Sequence, residues 1–154
     1  MAEIRSVILP AKLVFGILVT SEGVRRHCLE RIIAEFGPID HESRVEPFTF
    51  TDYYCDEMGR DIFRQYLSCE RLIDMAELPA IKHRTNEIEI EMALFDEHGR
   101  RRRQANIDPG YLTQSKFVLA TTKDYMHRVY MADGVFAEVT LHYQRPDGFR
   151  PFAW

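Results

Sequence analysis

Residues 12–40, KLVFGILVTSEGVRRHCLERIIAEFGPID, decide the fold class. Lys12 to Thr20 is nearly all apolar and rich in branched side chains, the composition of a strand buried on both faces. Thr20 or Ser21 then offers a hydroxyl to cap a helix. In that helix Cys28, Leu29, Ile32, Ile33 and Phe36 share one face, with Arg25, Arg26 and Glu30 elsewhere. Gly37 suits a left-handed cap and Pro38 cannot continue the helix. The stretch therefore reads as strand, capped helix, hard stop.

Outward from it, Ile39 to Phe50 reads as extended, TDYYCDEMGRD (51–61) as a polar, aromatic loop, and Ile62 to Leu72 as a second long strand. Asp74 followed by Glu77 has capping-box spacing. Leu78, Ile81, Ile88, Met92 and Phe95 then make a stripe at helical spacing, with Pro79 in the tolerant first turn. A strand near RRQANI would complete a βαββαβ layer, and DPG (108–110) reads as a turn after it. Tyr111 to Thr122 fits a short helix or a strand. Asp133-Gly134 lies between β-rich runs, Met126 to Ala132 and Val135 to Tyr143, which is a hairpin signal because a type I′ turn needs positive φ at both central residues. The expected fold is α+β: one domain over 1–154, a ferredoxin-like βαββαβ-type layer with two main helices on one face of the sheet and an added C-terminal β-hairpin. Phe149, Phe152 or Trp154 of the tail is expected to dock on it.

Composition narrows the function classes. Of 154 residues 45% are hydrophobic and 29% charged, enough to bury a core. The net charge of −4 argues against nucleic acid and anionic membrane as partners of the whole molecule. No apolar run has bilayer-spanning length and the N-terminal stretch lacks a secretory layout, so a cytoplasmic protein is expected. Cys28, Cys55 and Cys69 are odd in number and show no C-x-x-C spacing, which suits small buried residues better than disulfides or zinc.

A two-residue Asp133-Gly134 loop pairs Ala132 with Val135, and an unbroken ladder then places His127 opposite Thr140. His127, Glu138, Thr140 and His142 would share a face, with Glu138 and His142 diagonal to His127. A one-residue slip would reverse every one of these orientations. An imidazole beside a carboxylate suits acid–base work or, with a third ligand, a divalent metal. An ion pair on a half-exposed sheet accounts for the same residues.

The other motifs are weaker. TTKD (121–124) has guanine-reading residue types at the wrong spacing, and no G-x-x-x-x-G-K-[ST] cradle occurs, so a P-loop GTPase is not expected. Lys116, Lys123, Arg128 and the threonine hydroxyls are nevertheless suitable donors for an anion. The acids of 51–61 lack EF-hand spacing and read as a solvent-facing loop anchored by two tyrosines. EIEIE (87–91) reads as the charged face of a helix rather than a carboxylate-lined tunnel, and Arg100 to Arg103 as a solvated loop.

Eight segments in order, PAKLVFGIL, EFGPID, FTDYYCDEMG, ERLID, RTNEIE, NIDPGYLTQSKFVLATTKD, HRVYMADGVFAEVTL and PFAW, resemble a bacterial family known as domain of unknown function 4416. The resemblance implies no established activity, cofactor or catalytic residue, although some members carry a GTP-binding label. The expected function is a binding module for a small anionic, phosphate- or nucleotide-like ligand, using Asn106, Asp108, Lys116, Thr122, Lys123, His127, Arg128 and Glu138. The alternatives are a metal-assisted hydrolase on His127, Glu138 and Asp52, and a non-catalytic scaffold or homo-oligomer component.

Overall fold

The computed structural model describes residue 4 and residues 7–152. In chain order the elements are β1 (Ala11–Val19), α1 (Glu22–Phe36), β2 (Ile39–Glu42), β3 (Glu46–Pro47), α2 (Cys55–Met58), β4 (Phe63–Ile73), a 3-10 turn (Met75–Glu77), α3 (Leu78–Glu91), β5 (Leu94–Phe95), β6 (Arg101–Arg102), β7 (Ala105–Leu112), β8 (Lys116–Thr121), β9 (Val129–Ala132), β10 (Val135–Gln144) and β11 (Gly148–Pro151). Strands dominate over helices. The large sheet runs β11-β10-β8-β7-β1-β4-β2, with β3 added on β4 and β9 on β10. Each of its recorded pairings is antiparallel.

The opening segment folds as its pattern dictates. β1 is paired on both sides, with β4 and β7. Ser21 Oγ accepts from Val24 N at 3.2 Å and caps α1. Gly37 closes the helix at φ 94°, its N–H donating to Ile33 O at 3.0 Å. Its ψ of −175° makes this an extended positive-φ stop, not the left-handed cap expected, but it uses the same freedom from a Cβ. Asp74 and Glu77 form the full capping box ahead of α3. Cys28, Ile32 and Phe36 of α1 and Leu78, Ile81 and Ile88 of α3 share one core with Leu13, Phe15 and Ile17 of β1, so both helices pack on the same face. Leu18 points the other way and packs with Met58 and Ile62, so the segment carrying α2 covers part of the opposite face. Cys28 and Cys69 are buried and free, and Cys55 is half-buried.

Several expectations are corrected. DPG (108–110) is not a turn but the middle of β7, where Asp108, Pro109 and Gly110 pair with Gly16, Phe15 and Val14 of β1. Of the two readings left open for Tyr111 to Thr122 the strand is the one that forms, as the end of β7 and all of β8. The helical stripe ends at Glu91, and Phe95 belongs to a small exposed hairpin, β5–β6, in which Asp96 Oδ1 accepts the N–H groups of His98 and Arg100. Ile33 is 45% exposed and lies off the buried face of α1. In the tail Phe152 stacks on His142 with ring centroids 4.4 Å apart, and Phe149 packs edge-on to Tyr143. Trp154 lies outside the described residues. Among the described residues no helix is long and apolar enough to cross a membrane.

Candidate functional site

The site begins with a proline inside a central strand. Proline has no N–H, so a ladder can pass through it only if its nitrogen faces a side without a partner. β7 pairs with β1 along its whole length, but with β8 only at Gly110, Tyr111 and Leu112. The next rung would need a donor from Pro109, and there the two strands part. Gly110 tightens the last shared rung: a Cβ there would lie 2.4 Å from Val118 O.

Beyond the parting, the free edge of β7 is satisfied by α3. Ile107 N donates to Glu89 Oε1 at 2.6 Å, and Lys82 Nζ donates to Ile107 O at 3.1 Å. Two side chains of one helix thus take the places of the missing strand's carbonyl and amide. Lys82 and Glu89 are 4% and 7% exposed, on the face of α3 that also carries Ile81 and Ile88. The sequence offered a signal here: polar residues at 82, 85 and 89 sit among the apolar positions of an amphipathic helix. Glu89 is therefore not on a solvated charged face, as EIEIE suggested.

The opening between β7 and β8 is a cleft of about 160 Å³. Asn106, Asp108, Thr122, Lys123, Arg128 and Glu138, all expected as ligand contacts, line it. Thr121, whose hydroxyl the TTKD motif offered as an anion donor, also lines it; Lys82, Asn86, Arg103 and Tyr54 line it and were missed. Asn106 Nδ2 donates to Asp108 Oδ2 at 2.7 Å, and Lys82 Nζ to Asp108 Oδ1 at 2.9 Å. Arg103 bridges Glu89 and Asn106 and lies 3.5 Å from Glu57, so it belongs to the cleft wall rather than to a solvated loop. Burial pushes the Glu89 carboxyl above its usual range, against the pull of Lys82, Arg103 and the Ile107 N–H. Burial works against the Arg103 charge too, but the carboxylates of Glu89, Glu57 and Asp108 together outweigh it and raise the guanidinium above its usual value. The Tyr54 hydroxyl is pushed up to about 12, first by burial and then by Asp108, so it is a neutral donor at physiological pH.

The far wall comes from the terminal hairpin. Asp133 and Gly134 have φ 51° and 75°, the signature of the expected tight reversal, and Ala132 pairs with Val135. The ladder then slips. Tyr130 pairs with Phe136 and Val129 with Ala137, leaving Met131 as an extra residue. The strand starts only at Val129, and His127 and Arg128 lie in a turn closed by Arg128 N to Tyr125 O at 2.9 Å. The predicted rung between His127 and Thr140 does not form. His127 and Glu138 nevertheless meet, Nε2 to Oε2 at 3.3 Å, because that turn folds back over β10. Arg128 Nε donates to the same carboxylate at 2.9 Å, and its Nη1 to Lys123 O at 3.1 Å.

Four of the residues singled out in the sequence lie outside the cleft lining. His127 meets Glu138 of the lining and itself lines a separate surface depression with Val129, Val139 and Phe152. Lys116 sits at the other end of β8, paired with His142 across the sheet. His142 is not diagonal to His127 in the structure but stacks on Phe152. Asp52 lies in the loop before α2, where its backbone oxygen accepts from Cys55 N at 2.9 Å. Among the described residues no group of three or more His, Cys, Asp or Glu side chains is placed to hold a metal ion.

The class is thus a largely antiparallel α/β sheet protein with a polar cleft where two central strands separate. The family model described as Domain of unknown function (DUF4416) matches residues 9–154, and the chain belongs to that family. Comparison with curated proteins and with solved structures gave no match.

Proposed function

We propose that the chain binds a small phosphate-bearing ligand in the cleft between β7 and β8. The observation that carries this reading is the state of Lys123. Lys82, Arg103 and Arg128 each have a carboxylate partner: Asp108, Glu89 and Glu138. Lys123 has none within ion-pair distance among the described residues; its Nζ lies 3.7 Å from the centroid of the Tyr53 ring. An aromatic face holds an ammonium in place without neutralising it, so the charge stays available to an anion. Thr122 and Asn86 also line the cleft as further donors. The order β7-β1-β4-β2, with α1 and α3 as its two crossovers, supports reading this part of the sheet as a ferredoxin-like layer.

Inorganic phosphate at about 100 times its Kd would stabilise the fold by about 2.7 kcal/mol. For a chain of this size that is a rise in melting temperature of roughly 5–10 °C. The rise is expected in the wild type and absent in Lys123→Ala. Phosphate that shifts both proteins equally would remove the cleft from consideration.

A further inference from the structure

The cleft is too small to be the whole of a ligand site. Its volume of about 160 Å³ is on the scale of a cavity that takes one benzene-sized molecule, and below the ~300–1,000 Å³ of ordinary small-molecule sites. It does not end blindly. Asn86, Arg103 and Thr122 line both the cleft and a second, more open basin of about 420 Å³. Taken together, the two compartments fall inside the ordinary range.

The chemistry of the two compartments differs. The inner one carries the uncompensated ammonium of Lys123 and suits a single anionic group. The outer one offers Glu57 and Arg101 as hydrogen-bonding groups beside the three shared residues, over a small apolar floor of Ile90 and Ala93. No aromatic side chain lines it among the described residues, so it gives a nucleobase no stacking platform; Tyr54 lines the inner cleft instead. Acceptors and donors around a patch of aliphatic carbon match a hydroxylated ring or chain, whose C–H face lies on Ile90 while its hydroxyls reach the rim.

We infer that the ligand is a phosphorylated sugar or polyol, with its phosphate in the inner cleft and its hydroxylated body in the outer basin. This rests on the phosphate reading above and extends it. The test measures binding of inorganic phosphate, ribose 5-phosphate and adenosine monophosphate by calorimetry. The proteins are the full chain, Ile90→Trp and Ala93→Phe, the last two filling the outer basin. Ile90 is 54% exposed, so an indole there costs little in folding, and retained phosphate binding reports an intact inner cleft. Ribose 5-phosphate is expected to bind at least ~10-fold more tightly than phosphate to the wild type. Both variants should lose that advantage while binding phosphate as before. Phosphate that binds while the sugar phosphate gains nothing, or an advantage that survives both variants, overturns the inference and leaves the phosphate site standing. Adenosine monophosphate binding more tightly than ribose 5-phosphate overturns the assignment of the body. If none of the three binds, the phosphate site itself falls.

Discussion

Replacing Glu89 separates two roles that one carboxylate holds in the cleft wall. Oε1 accepts the buried Ile107 N–H, and Oε2 pairs with Arg103. Glu89→Ala removes both. An orphaned buried amide costs about 1–3 kcal/mol. The lost pair costs less than a fully buried one, because a quarter of the Arg103 side chain meets solvent; about 1 kcal/mol remains after that discount. The alanine variant should therefore lose about 2–4 kcal/mol. Glu89→Gln keeps an amide oxygen for the Ile107 N–H and should lose only about 1 kcal/mol. Urea unfolding at neutral pH, with extrapolation to water and a check that the slope is unchanged, measures both. Equal losses in the two variants would show that the charge, not the backbone cap, is what Glu89 contributes. An alanine variant as stable as wild type would refute the idea that α3 replaces the missing strand.

The same carboxyl gives a pH dependence. Its folded pKa is raised, so the stability it contributes is complete below the ordinary carboxylate range and is lost as pH rises through the raised value. Wild type should thus weaken relative to Glu89→Gln as pH increases from acid to neutral; a gap between them that widens in favour of the wild type over that range would contradict it. Gly110→Ala must push a methyl against Val118 O, which lies 2.4 Å from where its Cβ would stand, and should cost about 2–3 kcal/mol, read as a drop in melting temperature. Gly134→Ala, at φ 75°, should cost about 1 kcal/mol and leave phosphate binding unchanged. Pro109→Val restores a donor facing β8 and should let the strands close further, weakening phosphate binding; unchanged affinity in a folded variant would dissociate the proline from the cleft.

The elements were legible where one pattern governed a segment. The buried strand, the Ser21 cap, the Asp74–Glu77 box and the Asp133-Gly134 reversal follow from local chemistry and are present. The failures came where tertiary context outweighed a local signal. Asp-Pro-Gly is turn-forming in isolation, yet here β1 holds it extended and β8 needs nothing from Pro109. The bulge at Met131 cannot be seen in a strictly alternating pattern, and it voided the derivation of the His127–Glu138 contact while the contact itself survived through the 125–128 turn. Lys82 and Glu89 were missed because their partners lie 14 to 26 residues further along the chain, and Tyr54 and Arg103 because the sheet order that brings their segments to the cleft is reported by no periodicity. Asn106 and Asp108 were reached only by their closeness in sequence to the polar segment, and the structure supplies the reason they matter: they share one edge with the cleft.

A gap that originates in an imino acid does not depend on which guest arrives. Pro109 lacks its hydrogen whether the space beside it is filled or vacant, and Glu89 and Lys82 keep the neighbouring amide and carbonyl engaged in either condition. Occupancy then has little backbone to rearrange, and the entropy usually spent on ordering a loop around a newcomer is already settled at folding. If the proposed ligand binds there, this edge of the cleft contributes shape and charge without having to close.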